Sequence, residues 1–263
     1  MTLCSSVLRL ALVPLFFSAS VSDGASSPRP NFFSASVSGG ASSPRPKAPP
    51  QPVWPIVRAN ILTELLPKEL TPVAPLDAAV TSFIATLNAS DAWPDVNYTD
   101  ASKSWWFAAE HLRRTLLIAT AWRSKRSIHA SSTAALHATH RALGWWLAHD
   151  PQNQWWWMDI GVPRILAKIL LLAPNASLTR RAIPFLDHAP LTTSRKGCNR
   201  VWYGTANILR GALEQNDTRI VRAFEEAYKT MDSLHVTSDD GVQHDGSFHQ
   251  HGLGTAERHE GDL

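Results

Sequence analysis

Three adjacent tryptophans, Trp155, Trp156 and Trp157, constrain the fold and surface of this chain more than any other feature. Successive side chains of a helix point about 100° apart, so three neighbouring indoles cannot all enter one core. At least one of them must therefore face solvent or a cleft. Sugar rings present flat C–H faces that stack on indoles, and the chain holds 11 Trp against 3 Tyr. This tryptophan row predicts a cleft that binds carbohydrate.

Length and charge limit the remaining function classes. A chain of 263 residues with 44% apolar and 18% charged residues can bury a sizeable core. The first 50 residues carry the whole formal net charge of +3, so the rest of the chain is balanced. A balanced domain predicts no nucleic-acid partner. The apolar run near the N-terminus is too short to span a bilayer, so no membrane partner is expected either.

The N-terminal region is typical of a secreted protein. Residues 1–22 predict a signal peptide, with Arg9 before a short apolar stretch and small residues after it. Residues 23–53 predict a disordered Pro/Ser-rich linker, in which residues 32–46 repeat residues 16–30 with one difference. We expect the folded domain to occupy residues 54–263.

Secretion would also explain the asparagine motifs and the cysteine count. Cys4 falls in the signal peptide, which leaves Cys198 without a partner for an internal disulfide. Four Asn-x-Ser/Thr motifs predict a glycoprotein. They begin at Asn88, Asn97, Asn175 and Asn216.

Apolar residues recur at spacings of three and four, and no clear run of alternating residues appears, so we predict an all-α fold of antiparallel helices in an α/α toroid. Pro163 suits a first helical turn, and Asp217 or Thr218 is expected to cap the last helix. His140 is interpreted as a core residue. The expected apolar stripes are Ala109, Leu112, Leu116 and Ala119; Leu136, His140, Leu143 and Leu147; Ile165, Ile169 and Leu172; Val201, Thr205, Ile208 and Ala212; and Ile220, Phe224, Ala227 and Met231.

Asn199 follows a glycine-containing loop and opens a helical pattern. Taken alone, this position favours the role of an N-cap asparagine. The alternative is a binding role, in which the amide hydrogen-bonds a substrate carboxylate at the positive end of the helix.

Three histidines, His244, His249 and His251, lie within eight positions of a loop. Their spacing matches no well-defined zinc pattern, so we expect no metal. A histidine beside a turn is better interpreted as a base or proton shuttle.

Three segments together resemble the N-terminal helical domain of polysaccharide lyase family eight, which contains the hyaluronate, chondroitin AC and xanthan lyases. The segments are HDPQNQWWWMDIGVPR, KGCNRVWYGTANILRGAL and DGVQHDGSFHQHG, and the resemblance runs over residues 54–252. It implies an aromatic patch at Trp155 and Trp156, a catalytic asparagine at Asn199 and a catalytic histidine at His251. Arg200, beside the asparagine, is expected to bind substrate.

The resemblance ends after Gly252. The family's catalytic tyrosine follows its histidine by nine positions, where this chain has Glu260, and no tyrosine follows Tyr228. Family members also continue into further helices and β-sandwich domains. We therefore expect an incomplete toroid, a truncated or frame-shifted gene model, and a weakly active or inactive chain.

The resemblance implies β-elimination on a uronic-acid-containing polysaccharide, with an acidic polysaccharide as partner, no metal or organic cofactor, and a monomer. Two alternatives stay open: a non-catalytic carbohydrate-binding domain, or a glycoside hydrolase on a helical toroid. The hydrolase would need two carboxylates, for which Asp159, Asp240 and Asp245 are candidates.

Overall fold

The computed structural model describes residues 51–230, 240–242 and 248–249. In these residues the chain is almost entirely helical, and none of the helices is both long and apolar enough to cross a membrane. The α-helices are α1 (Trp54–Leu65), α2 (Ala74–Thr86), α3 (Glu110–Arg123), α4 (Thr133–His149), α5 (Val162–Leu172), α6 (Ala176–Asp187), α7 (Gly197–Glu214) and α8 (Asp217–Tyr228). A 3-10 turn (Phe107–Ala109) precedes α3, and a π-helical turn (Trp157–Gly161) precedes α5.

The helix starts follow local chemistry. Proline occupies the first turn of α1, α2 and α5, where its missing N–H is not needed. Side chains of Asn175 and Asn216 cap α6 and α8 by accepting backbone N–H groups. The cap of α8 is thus Asn216, and the expectation of Asp217 or Thr218 was wrong by one or two residues.

Helix α5 is the centre of the fold. Eight of its 11 residues are buried, and it packs against α1, α3, α6 and α7. The main core joins Leu112 of α3, Trp146 of α4 and Leu209 of α7 to this helix. A second apolar cluster around Trp93 lies between α2, α3 and α4.

Helices α7 and α8 form a tight hairpin. Gln215 ends α7 in the left-handed conformation with φ of 57°, and Asn216 then starts α8, so two residues reverse the chain. Asp217, the first residue of α8, also binds the start of α1. Its Oδ1 accepts the backbone N–H of Val53 at 3.1 Å and of Trp54 at 2.7 Å.

The structure confirms the all-α prediction. The described residues contain a single β pairing, in which β1 (Gly241–Val242) runs antiparallel to β2 (Phe248–His249); the sequence did not predict it. The stripe expected on α4 was partly wrong, since Ala135, Ala142 and Trp146 are buried whereas Leu136 and Leu147 are only half-buried. His140 is also half-buried, with Nε2 3.4 Å from the Ala173 carbonyl oxygen.

Candidate functional site

The tryptophan row lies at an irregular point of the backbone, where the chain passes through the π turn into α5. Such turns place side chains at angles that a regular helix does not allow. Gly161 is needed at its end, because a Cβ there would lie 2.6 Å from Cε3 of Trp157 and 3.2 Å from Cζ3 of Trp156. The absence of a side chain at Gly161 therefore lets two indoles pack against the backbone.

The three indoles have different surroundings, as their spacing requires. Trp157 is buried and donates from Nε1 to the Lys103 carbonyl at 3.2 Å. Trp156 is half-buried, and Trp155 keeps 38% of its surface exposed. The prediction that at least one indole remains exposed is confirmed.

Trp155 carries a cationic partner that sequence reasoning missed. The Arg195 guanidinium lies 3.8 Å from the centre of the Trp155 ring, within the range of a cation–π contact. Arg195 belongs to the loop before α7, so only the folded chain brings it to the row. No local sequence pattern pairs it with a residue forty positions earlier.

Helix α7 brings Asn199 to the same region as Trp156. The Trp202 ring meets the Trp156 ring edge-on, with centroids 5.6 Å apart. Asn199 lies three positions before Trp202 and therefore shares its helix face. Arg164 of α5 approaches the same indole, with its guanidinium carbon 6.0 Å from the Trp202 ring.

Asn199 is not the N-cap of α7. The helix begins at Gly197 after Lys196, so Asn199 lies inside the first turn and the capping interpretation was wrong. Its Oδ1 is buried and has no hydrogen-bond partner among the described residues. A buried amide without a partner is unfavourable. Rotation of the amide would present Nδ2 at this position instead.

Arg200 follows in the same turn and is half-buried. Its Nε donates to the Arg195 carbonyl oxygen at 2.9 Å, which ties the loop carrying Arg195 to the start of α7. The structure thus gives Arg200 a positioning contact, while its binding of substrate stays a prediction.

A hydrogen bond between Tyr203 and Asp159 fixes the π turn to α7. The tyrosine hydroxyl donates to Asp159 Oδ2 at 3.0 Å, and His188 Nδ1 lies 3.9 Å from Oδ1. Burial, followed by the hydrogen bond and charge of Asp159, raises the pKa of Tyr203 to about 12. Tyr203 therefore remains a hydroxyl donor at neutral pH, and Asp159 is engaged in a structural contact.

Arg164 and Lys168 lie about one turn apart on α5, close enough for their charges to interact. Burial lowers the pKa of Arg164 to about 10, and burial with the Arg164 charge lowers the pKa of Lys168 to about 8. Arg164 Nε has no hydrogen-bond partner among the described residues. Both groups remain mostly protonated at neutral pH, so two positive charges lie partly shielded from solvent on α5.

Two tryptophans upstream of the row, Trp145 and Trp146, pack within the helix array. Trp146 is fully buried, and Trp145 stacks between His111 and His149 with centroid distances of 4.8 and 4.1 Å, so both indoles belong to helix packing. His251 and Glu260 lie outside the described residues. Within the described part of the chain, no group of three or more His, Cys, Asp or Glu side chains is placed to hold a metal ion.

Comparison with protein families shows to which family the chain belongs. The profile of the N-terminal α-helical domain of polysaccharide lyase family 8 matches residues 68–256. The chain belongs to polysaccharide lyase family 8. The resemblance inferred from the three segments is thereby confirmed.

Known members of family 8 share the fold at low sequence identity. A hyaluronate lyase from Thermasporomyces composti is 26% identical over 198 residues, which are 68% of this chain and 24% of that protein. A solved chondroitinase AC lyase matches with a TM-score of 0.66 at 21% identity, over 76% of this chain and 30% of its own. A Paenibacillus xanthan lyase matches with a TM-score of 0.61 at 18% identity, over 75% and 21%. The chain thus spans less than a third of each relative's length.

Proposed function

We propose that this helical domain binds uronic-acid-containing polysaccharide across Trp155 and Trp156, and that Asn199 engages a uronate carboxylate in a β-elimination site. The buried Oδ1 of Asn199, which has no partner among the described residues, carries the proposal, because this side chain lies on the α7 face that also presents Trp202 to Trp156. Membership of family 8 and the hyaluronate lyase relative support this substrate class. We further propose that the protein is secreted and acts as a monomer.

The chemistry of the proposed site begins at C5 of the uronate. An ionised carboxylate beside C5 disfavours loss of the C5 proton, because the negative charge would accumulate. Nδ2 of Asn199, held in the first turn of α7, stabilises that charge together with the positive helix end. A base then removes the proton, the C4–O4 bond breaks, and a C4–C5 double bond forms while the departing O4 takes up a proton.

His251 is the proposed base, by its match to the family motif. Glu260 stands where the family has its proton-shuttling tyrosine, and a carboxylate with an ordinary pKa of about 4.3 does not protonate O4 at neutral pH. Loss of one acid–base group reduces the rate by about 10²–10⁴. We therefore propose weak or no turnover for this chain, and this same residue favours a carbohydrate-binding domain as the second candidate function.

Binding and turnover need separate measurements. Affinity electrophoresis on hyaluronan, chondroitin and xanthan tests binding, with Trp156→Ala as the variant and Ile128→Ala, an exposed apolar residue on another turn, as the control. We expect Trp156→Ala to weaken binding roughly fivefold or more and Ile128→Ala to leave it unchanged. Equal behaviour of the two variants would contradict the proposed site.

Turnover is followed by the ultraviolet absorbance of the unsaturated uronide. The 263-residue chain should yield little or no product, and rapid turnover would refute the role given to Glu260. Asn199→Asp should bind less tightly than Asn199→Ala, since a carboxylate there repels the substrate's own carboxylate. Binding by Asn199→Asp as tight as by the wild-type chain would remove Asn199 from the proposed site.

A further inference from the structure

A second pair of exposed aromatic rings lies close to the tryptophan row. Trp105 is 50% and Phe107 is 51% exposed, whereas Trp106 between them is completely buried. Trp106 has an extended backbone, with φ of −91° and ψ of 108°, and side chains alternate along extended chain. Trp105 and Phe107 therefore project to the same side, and the chain keeps two large apolar rings in solvent next to each other.

The loop that carries these rings is tied to the tryptophan row by hydrogen bonds. The Lys103 carbonyl accepts from Gln154 Nε2 at 2.8 Å and from Trp157 Nε1 at 3.2 Å. Asn153 Nδ2 adds a bond of 3.2 Å to the Ser102 carbonyl. These contacts hold the exposed rings beside the row in a defined position.

Arg113 of α3 joins the two groups directly. Its guanidinium carbon lies 4.6 Å from the centre of the Trp105 ring and 5.5 Å from that of Trp157. The guanidinium covers one face of Trp105, which leaves the opposite face as the one on which a sugar ring would stack. Trp155 has the same arrangement, with Arg195 on its ring.

We propose that Trp105 and Phe107 form a second aromatic platform, contiguous with the tryptophan row, that binds a further portion of the same acidic polysaccharide chain. The proposal rests on the proposed function above. Stacking on flat rings suits a sugar chain, and the exposed residue Lys103 suits its carboxylates. Arg113, whose Nη1 lies 3.5 Å from Glu110 Oε2, holds the Trp105 ring in place. A long chain would cover both platforms, while a short oligosaccharide would cover only the tryptophan row beside Asn199.

The test compares chain lengths in the 263-residue protein. Binding of a fluorescently labelled hyaluronan tetrasaccharide and of long hyaluronan is measured by fluorescence anisotropy for the wild type, Trp105→Ala, Trp105→Phe, Trp155→Ala and Ile128→Ala. We expect Trp105→Ala to weaken long-chain binding roughly tenfold without changing tetrasaccharide binding. Trp105→Phe should retain part of the long-chain affinity, and Ile128→Ala should match the wild type.

The two proposals fail in different ways. If Trp155→Ala weakens binding of both ligands and Trp105→Ala weakens neither, the second platform is refuted while the proposed function stands. If neither tryptophan variant changes binding, both proposals fail. Sedimentation provides a further check. A wild-type protein that self-associates, together with a monomeric Trp105→Ala variant, would assign these rings to a protein interface and overturn the second platform.

Discussion

At the scale of single residues, His111 shows how burial determines a protonation state. It is completely buried, its Nε2 donates to the Ala142 carbonyl at 2.8 Å, and its Nδ1 lies 2.9 Å from the Tyr98 hydroxyl. With the proton of the neutral ring on Nε2, Nδ1 accepts from the Tyr98 hydroxyl, whose oxygen also accepts from the Trp93 N–H at 3.1 Å. These bonds satisfy both nitrogens of the neutral imidazole, and burial lowers the pKa of His111 to about 4.

This pKa predicts acid sensitivity. The unfolded chain takes up a proton at His111 below about pH 6.5, whereas the folded chain takes it up only near pH 4, so the stabilising contribution is complete above pH 6.5 and is lost as the pH falls through 4. The shift corresponds to about 3 kcal/mol. Urea unfolding measured across this range should show the free energy of unfolding falling, and His111→Gln should flatten the slope. An unchanged slope in the variant would assign the acid sensitivity to other groups.

Gly161 offers a second test at the residue scale. A methyl group there would meet Trp157 and Trp156 at 2.6 and 3.2 Å, so Gly161→Ala should displace the indoles and destabilise the fold by roughly 1–3 kcal/mol. Gly144→Ala is the matched control, since its added Cβ would meet nothing closer than 3.9 Å. That change should leave stability equal or raise it by roughly 0.5–1 kcal/mol. The unfolding temperature should therefore fall for Gly161→Ala and stay equal or rise for Gly144→Ala. An equal fall in both variants would show that the contacts at Gly161 are not the cause.

At the scale of helices, Asp77 joins α2 to the turn between α3 and α4. Its carboxylate accepts from Ser127 Oγ at 2.5 Å and from the Ile128 N–H at 3.3 Å, and the residue is only 6% exposed. Asp77→Ala leaves both donors without this partner and should lower the free energy of unfolding by roughly 1–3 kcal/mol. Glu64→Ala, which removes an exposed ion pair with Lys68, should cost less than about 1 kcal/mol. Equal losses in urea titrations would show that Asp77 contributes only as a surface charge.

Five helices, α3, α4, α5, α7 and α8, were predictable from sequence because apolar spacing and proline act locally, whereas α1, α2 and α6 were not predicted. Positions that depend on long-range packing were not. On α4 the buried face includes the small residues Ala135, Ala138 and Ala142 beside Leu143 and Trp146, because α3 packs against it. The loop cation Arg195 and the aromatic pair Trp105 and Phe107 join the tryptophan row only after the chain has folded. Asn199 was correctly singled out, but its place within the first turn required the helix start to be known to within two residues.

At the scale of the whole domain, one carboxylate joins the first and last helices that the structure describes. Asp217, at the start of α8, accepts the N–H groups of Val53 and Trp54 and thereby anchors α1, which lies more than 160 residues away in sequence. Asp217→Ala should lower stability by roughly 1–2 kcal/mol and should speed hydrogen exchange in α1 more than in α5. Asp217→Asn keeps an acceptor oxygen and should lie between the wild type and the alanine variant. Uniform exchange throughout the domain would indicate that α1 is held by its apolar face alone.

In all four Asn-x-Ser/Thr motifs, the asparagine side chain accepts a hydrogen bond from a backbone N–H group. Through Oδ1, Asn175 and Asn216 accept N–H groups at the starts of α6 and α8, and Asn88 and Asn97 accept N–H groups two residues ahead in turns. A glycan would attach to the other amide atom, Nδ2, so capping and glycosylation are chemically compatible. Replacing these asparagines by glutamine to test for glycosylation would, however, remove the backbone contacts together with the acceptor amide. Ser177→Ala and Thr218→Ala abolish the acceptor motifs while leaving the caps in place, and are the variants with which site occupancy is cleanly measured by mass spectrometry.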